Sequence, residues 1–279
     1  MKWLFVFILA VIIFGGSAWF GYNLFFKQQI AVEKEQRGET KAEPLPDIGL
    51  PEFQAAAKLR QEGKTAEARK ALIAFVQKYP TGGRTDEAKD LLGEINVEIL
   101  LSRTPSPEKQ EYIVKPGDVL QVVARRVKST PELIMRMNNL NGTMLRIGER
   151  LLISHPEFSL VIQRKGNLIV LLDRGSFFKQ YHVREQKLAP RQPPKVTTKV
   201  SEVMAWRGDK RVGFGTKEYV GSTRWIRLGA AAYTIYSVPD AAHPTLHQPP
   251  PPSGLGLAAT DVEELSGLVN SRTPVTITD

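Results

Sequence analysis

The chain has 279 residues, 42% hydrophobic and 24% charged, with 38 Lys and Arg against 29 Asp and Glu for a formal net charge of +9. That length allows several domains, and the apolar fraction is high enough for packed cores instead of a disordered tail. There is no cysteine, which excludes disulfides, thiolate metal sites, acylation at a cysteine and any thiol nucleophile. Lys and Arg are scattered instead of clustered, which argues against a nucleic-acid partner and suits anionic polymers or lipid headgroups as neighbours.

Trp3 to Phe26 is an apolar run broken only by small residues and Asn23. At about 1.5 Å per helical residue it can cross the roughly 30 Å of a bilayer's hydrocarbon. Residues 1–27 are therefore expected to form an uncleaved transmembrane anchor, with the bulk of the chain extracytoplasmic. Lys27, Lys34 and Arg37 follow closely, so the positive-inside bias is weak. The competing reading is a signal peptide cleaved at Gly16-Ser17-Ala18, but Trp19, Phe20, Tyr22, Leu24, Phe25 and Phe26 carry the apolar run past that point. Residues 28–47, with mixed charges and Pro44 and Pro46, read as a linker.

Residues 48–102 read as helical. Pro51-Glu52 suits a first turn, and Phe53, Ala57, Leu59, Ala68, Leu72, Phe75 and Val76 recur at helical spacing up to Tyr79-Pro80, with a break at Glu62-Gly63-Lys64. The small residues Ala57, Gly63, Ala68 and Ala71, followed by Phe75 and Tyr79-Pro80, resemble a tetratricopeptide helix pair. A third helix is expected from Asp86 to Leu101. One pair is too few for a repeat array, so a spacer or docking unit is expected, with a protein partner on 48–102 as the weaker reading. Residues 103–111 form a second linker.

Residues 112–154 form a complete small module. Tyr112-Ile113-Val114-Lys115-Pro116-Gly117-Asp118-Val119-Leu120 is a strand broken by a Pro-Gly-Asp turn that opens a helix over Leu120 to Arg126. Ser129-Thr130-Pro131-Glu132 combines an N-cap, a proline at the first helical position and an acid in the first turn, ahead of Leu133, Ile134 and Met137. Asn138-Asn139-Leu140-Asn141-Gly142 stops this second helix, and Leu145 to Ile153 turns into a closing strand. The pattern Y-x-V-x-P-G-D-x-L, then a helix-ending Asn, then I-x-x-G-x-x-L-x-I closely resembles a LysM domain. The resemblance implies a βααβ fold and, as partner, the N-acetylglucosamine-containing glycan of peptidoglycan or chitin. It places the groove between Gly117, Asp118, Val119 and Leu120 on one loop and Met144, Leu145, Arg146 and Ile147 on the other. The residue after Gly117-Asp118 carries a hydroxyl in that family and is Val119 here, which implies weaker affinity. Read without the family, Gly117 and Asp118 form the turn and the helix cap.

Residues 157–279 are enough for a core of their own. Phe158 to Ile162 and Leu168 to Leu172 alternate as strands around the turn Arg164-Lys165-Gly166-Asn167. Phe177 to Val183, Gly221-Ser222-Thr223-Arg224-Trp225, the helix signal at Asp261 to Leu265 and the strand at Arg272 to Ile277 follow. In this order they resemble the frame of an L,D-transpeptidase, a cysteine enzyme that cross-links peptidoglycan stem peptides. The resemblance implies a mostly-β domain whose chemistry is missing. Counting back from Asp261-Val262-Glu263-Glu264-Leu265, the family's Ser-x-Gly-Cys-x-Arg motif puts its cysteine at Gly254, its arginine at Gly256, and its serine and glycine at Pro251 and Ser253. The activating histidine falls at Tyr236 within Thr234-Ile235-Tyr236-Ser237, and the upstream Thr-Pro-x-Gly turn survives only as Pro193-Pro194-Lys195-Val196. Acyl transfer needs a nucleophile with a base in hydrogen-bond reach, and Gly254 and Tyr236 supply neither.

A substitute nucleophile is Ser253, with His243 or His247 as base. The prolines at 244 and 249–252 favour an extended segment over a strained turn that would present a hydroxyl. His243 and His247, off a helix and with no acidic or thiolate third ligand expected to stand near, read as surface histidines, and no metal or cofactor is expected. Phe177, Phe178, Trp206 and Trp225 read as core before they read as a sugar-stacking platform. The fold class expected is α+β and multidomain: an N-terminal transmembrane helix, a tetratricopeptide-like hairpin, a βααβ LysM module and a mostly-β L,D-transpeptidase-like domain. The function expected is a membrane-anchored, periplasmic or wall-side peptidoglycan-binding scaffold or regulator with a catalytically inactive second domain. An active cell-wall peptide transferase or hydrolase with a non-cysteine nucleophile, and a protein-interaction scaffold acting through 48–102, are the alternatives.

Overall fold

The structure is a computed structural model that describes residues 49–104, 106–188, 191–230, 233–246 and 253–279. Among them no helix is long and apolar enough to cross a membrane. The apolar segment Trp3 to Phe26 and the linker at 28–47 lie outside the described residues.

Three helices come first: α1 (Leu50–Gln61), α2 (Thr65–Lys78) and α3 (Thr85–Leu101). The break between α1 and α2 falls at Gly63, whose φ of +75° is open to glycine and costly for other residues. Ala56, Ala68, Leu72, Phe75, Ala88, Leu92 and Ile95 form the core of this group, with Phe53 and Tyr79 stacked on Phe75 at ring separations of 5.9 and 5.0 Å. Asp86 and Glu87 stand in the first turn of α3, where the helix dipole favours negative charge.

The module at 112–154 is built from β1 (Lys109–Ile113), α4 (Leu120–Arg126), α5 (Pro131–Asn138) and β2 (Arg150–Ser154), with β1 and β2 antiparallel. The expected closing strand is thus shorter than Leu145 to Ile153, because 145–149 form a loop held by the Arg146 amide donating to Glu149 at 3.0 Å. Thr130 caps α5 by accepting from the Leu133 amide at 3.0 Å, and Asn139 ends it in the left-handed region at φ +54°. The helix-ending Asn138 has a defined task. Its amide donates to the carbonyls of Ile134 and Leu152 at 2.8 and 2.7 Å and accepts from the Leu152 amide at 2.7 Å, which locks α5 to β2.

The remaining strands make one curled sheet: β3 (Phe158–Gln163), β4 (Leu168–Asp173), β5 (Ser176–His182), β6 (Glu185–Lys187), β7 (Lys195–Arg207), β8 (Lys210–Val212), β9 (Thr223–Leu228), β10 (Thr234–Val238), β11 (Gly254–Ala258) and β12 (Pro274–Thr278). Their order is β5-β4-β3-β12-β7-β9-β10-β11-β6, with β8 paired to β7. The pairs β3–β12 and β10–β11 are parallel, and α6 (Ala259–Leu268) connects β11 back to β12. Alternate residues of the strands, such as Leu160, Ile162, Ile169, Leu171, Val275 and Ile277, are buried on the face that α6 covers.

Residues 51–279 form one compact unit in which these segments share a core. Val97 and Leu100 of α3 and Leu133 and Met137 of α5 sit in the same cluster as the sheet's Leu160, Ile169 and Leu257. Asn96 donates to the Phe178 carbonyl at 2.7 Å, Asp90 accepts from Gln180 at 2.8 Å and stands 3.0 Å from His182, and Gly93 lies directly against Lys179 of β5. The Thr130 hydroxyl, besides capping α5, donates to the Gly267 carbonyl of α6. The helical group is therefore packed on β5 through α3.

Candidate functional site

The two expected glycan loops lie side by side. Backbone hydrogen bonds from Gly148 to the Val114 carbonyl and from Val114 to the Glu149 carbonyl, both 2.9 Å, tie their bases together, and Leu145 packs into the core that holds Leu120. Their side chains divide by role. Leu120 is fully buried, so it offers no groove surface, and Leu145 is partly buried. Asp118 has a side chain only 5% exposed, which accepts from the Tyr112 hydroxyl at 2.6 Å, the Lys115 amide at 2.9 Å and Arg126 at 3.0 Å. The Tyr112 hydroxyl, then the Lys115 amide and Arg126, hold the Asp118 carboxyl below the usual carboxylate range. Gly117, at φ +80°, makes the turn that this carboxylate closes. Val119, Met144 and Ile147 are the side chains left outside, 51%, 89% and 71% exposed. Exposed aliphatic residues gathered on two adjacent loops, with Arg146 exposed among them, form a surface that can pack against the apolar face of a sugar.

The positions to which the sequence resemblance assigned the transpeptidase chemistry fall elsewhere, on β10 and β11. The strand registers align Met204, Trp225, Tyr236, Gly256 and Glu185 across five neighbouring strands. Tyr236 is buried, donates to Glu185 Oε2 at 3.1 Å and lies against Gly256, where an added Cβ would stand 3.0 Å from the ring. Burial first, then the Glu185 carboxylate, push the Tyr236 phenol well up, so it stays protonated at neutral pH and acts as a donor. Gly254 opens β11 at φ +146°, and a Cβ there would stand 1.9 Å from the Thr234 carbonyl oxygen. Both glycines are what allows β11 to approach β10 and Tyr236. Among the described residues no hydrogen bond joins Ser253 to a histidine, and Pro251 and His247 lie outside them.

His243 differs from a plain surface histidine. Its ring is part-buried, with Nδ1 3.3 Å from Asp240 and Nε2 3.9 Å from Glu263, a residue of α6 that sequence distance concealed. Among the described residues no group of three or more His, Asp or Glu side chains is arranged to hold a metal ion. Asp240 caps α6 from outside it, accepting from the Thr260 amide and hydroxyl at 2.8 and 2.9 Å and from the His243 amide at 2.7 Å. Burial opposes the charge on Asp240, but these donors outweigh it and hold the carboxyl at about 2. A lowered folded value means stability present above the unfolded value of about 4 and lost as pH falls from there toward about 2. We expect Asp240→Asn to flatten that part of the acid limb in denaturant titrations run at stepped pH.

The aromatic residues are core. Phe178 packs edge-on to Phe158 at 4.9 Å, Trp206 stacks with Trp225 at 5.2 Å, and Phe177 packs on the helical core. Phe178 and Trp225 are buried, and Phe177 and Trp206 are part-buried against them and the helical core.

The sequence profile of the LysM domain matches residues 112–154, and this module is a LysM domain. No curated protein sequence matches the chain. Solved structures similar to it include an L,D-transpeptidase from Mycobacterium smegmatis, with 10% identity over 48% of this chain and 65% of that one, at a TM-score of 0.31. Another, from Mycobacterium tuberculosis H37Rv, shows 15% identity over 48% of this chain and 63% of that one, at 0.29. A variant Enterococcus faecium L,D-transpeptidase shows 13% identity over 48% and 55%, also at 0.29. The chain thus spans less than two thirds of each of these proteins.

Proposed function

We propose that this protein is a peptidoglycan-binding scaffold that holds N-acetylglucosamine-containing glycan on its LysM loops and carries a catalytically inactive C-terminal domain. The observation that carries the reading is the exposure of Val119, Met144 and Ile147 on the two loops of a matched LysM domain. The inactive assignment rests on Gly254 and Tyr236. Neither position offers a nucleophile, and the phenol is held in its protonated form by burial and Glu185. In this reading Trp3 to Phe26 anchors the chain in a membrane, the LysM domain faces the wall, and the helical group at Leu50–Leu101 braces the sheet.

The test is sedimentation of the full-length chain with insoluble peptidoglycan. Met144→Glu combined with Ile147→Glu should weaken retention about tenfold, the loss of roughly 1.4 kcal/mol expected when two apolar contacts are removed from one site. Both side chains are solvent-exposed, so circular dichroism and the unfolding midpoint should stay unchanged. Equal retention of variant and wild type would sink the reading. Release of the terminal D-amino acid from a tetrapeptide, abolished by Ser253→Ala, would instead promote an enzyme.

A further inference from the structure

Two hollows meet along the seam between the LysM domain and the sheet, one of about 630 Å³ and one of about 460 Å³, walled in common by Ser129, Thr130, Asn270 and Arg272. The larger has the size of a ligand site. The seam itself is fixed by the Thr130 bond to Gly267 and by the Tyr219 hydroxyl, which donates to Glu132 at 2.7 Å. Burial pushes the Tyr219 phenol up, so that donor persists at neutral pH.

The charges in the larger hollow are unbalanced. Its floor includes the buried apolar residues Met204, Ala205 and Val269. Its two carboxylates are engaged, Glu132 by Tyr219 and Glu202 by Arg211 and Arg227. Arg125 and Arg272 border it with guanidinium groups that have no partner among the described residues. Glu157 borders only the smaller hollow. On the wall between the two, Ser129 is 7% exposed and its hydroxyl is buried without a hydrogen-bond partner. A buried polar atom left unsatisfied is uncommon and marks a place where a ligand or water is accommodated.

The hollow also abuts the glycan loops. Gln121, on its border, directly follows Leu120, and Phe214, also on its border, packs on the LysM core next to Gly215, which lies against Thr143. Thr143 precedes Met144. The groove thus borders residues that directly follow, or touch, the two glycan loops.

We propose that this groove is a second, anion-selective site that takes the carboxylate-bearing peptide substituent of the strand held by the LysM loops, so that the protein favours peptide-bearing glycan over neutral glycan. The proposal rests on the glycan-loop reading. Arg125 and Arg272 pair with carboxylates, for which the planar guanidinium is suited, while Met204, Ala205 and Val269 receive small alkyl side chains.

The test compares the full-length chain and an Arg125→Glu, Arg272→Glu double variant in equilibrium binding to three probes. These are a neutral N-acetylglucosamine oligomer, a soluble peptidoglycan fragment bearing its peptide, and a glycerol-phosphate polymer. Both arginines are exposed and unpaired, so the variant should keep the wild-type unfolding midpoint. We expect about a tenfold loss on the peptide-bearing fragment, diminished in high salt, and no change on the neutral oligomer. Equal loss on both glycans, no loss on the fragment, or arginine-dependent binding of the phosphate polymer alone would overturn the proposal. If the wild type fails to bind the neutral oligomer while its binding of the fragment still requires the arginines, the groove stands and the glycan-loop reading fails.

Discussion

Gly254→Cys is expected to destabilise the protein by more than about 4 kcal/mol and to confer no peptide transfer, alone or with Tyr236→His. Two independent costs add at this position. The backbone sits at φ +146°, a region that side chains other than hydrogen rarely enter, and holding one there costs about 1–3 kcal/mol. The new Cβ would also stand 1.9 Å from the carbonyl oxygen of Thr234. That neighbour is backbone of β10, paired on its other side with β9, and cannot rotate away as a side chain would. The strand must shift. Gly256 would resist the motif's arginine for a related reason, with Val238 at 2.8 Å and the Tyr236 ring at 3.0 Å from a Cβ. Denaturant unfolding of the variant, together with a tetrapeptide assay, decides the matter. A variant as stable as wild type whose new thiol reacts and turns over substrate would overturn both the steric argument and the inactive reading of this domain.

The second large effect is expected at Gly93. Replacing it with Leu should cost roughly 2–3 kcal/mol and loosen α3 from β5. In a free helix the change would stabilise by about 1 kcal/mol, since glycine is a poor helix former. Here a Cβ would meet Lys179 Cγ at 2.7 Å and its Cα and Cβ at 3.1 Å, so the gain in propensity is outweighed by overpacking against a strand. Lys179 is also held in place by Glu264 at 2.7 Å, which limits its freedom to move. Gly142→Ala is the control, because nothing lies within 4 Å of that position and its φ is not positive. If Gly93→Leu leaves the urea midpoint where Gly142→Ala does, the helical group is a spacer and not part of the folded body.

Much of the local structure could be read from residue order alone. The break at Gly63, the Thr130-Pro131-Glu132 helix start, the Arg164 to Asn167 hairpin and the helix signal at Asp261 to Leu265 all fall where the chain folds accordingly. Each depends on interactions within a few residues, which is the range over which caps, turns and apolar periodicity act. The LysM module was legible as a whole for the same reason, since its strands, helices and loops are contiguous in the chain.

What contacts decide was not legible. Nothing in the spacing of Asp118 shows that its carboxylate is occupied by Tyr112, Lys115 and Arg126, and the resemblance counts Leu120 into the groove although the core closes over it. The sequence by itself determined the local elements just named, the absence of a thiol and the identity of the LysM module; the long strand Lys195–Arg207 was not among them. Only the tertiary structure decided that Gly254 and Gly256 sit where β10 and Tyr236 leave no room for a side chain. It also brought Arg125 and Arg272, separated by well over a hundred residues, to the rim of one hollow, their guanidinium groups without a partner among the described residues. Burial and charge balance are sums over neighbours that long-range strand pairing selects, and no local pattern encodes them.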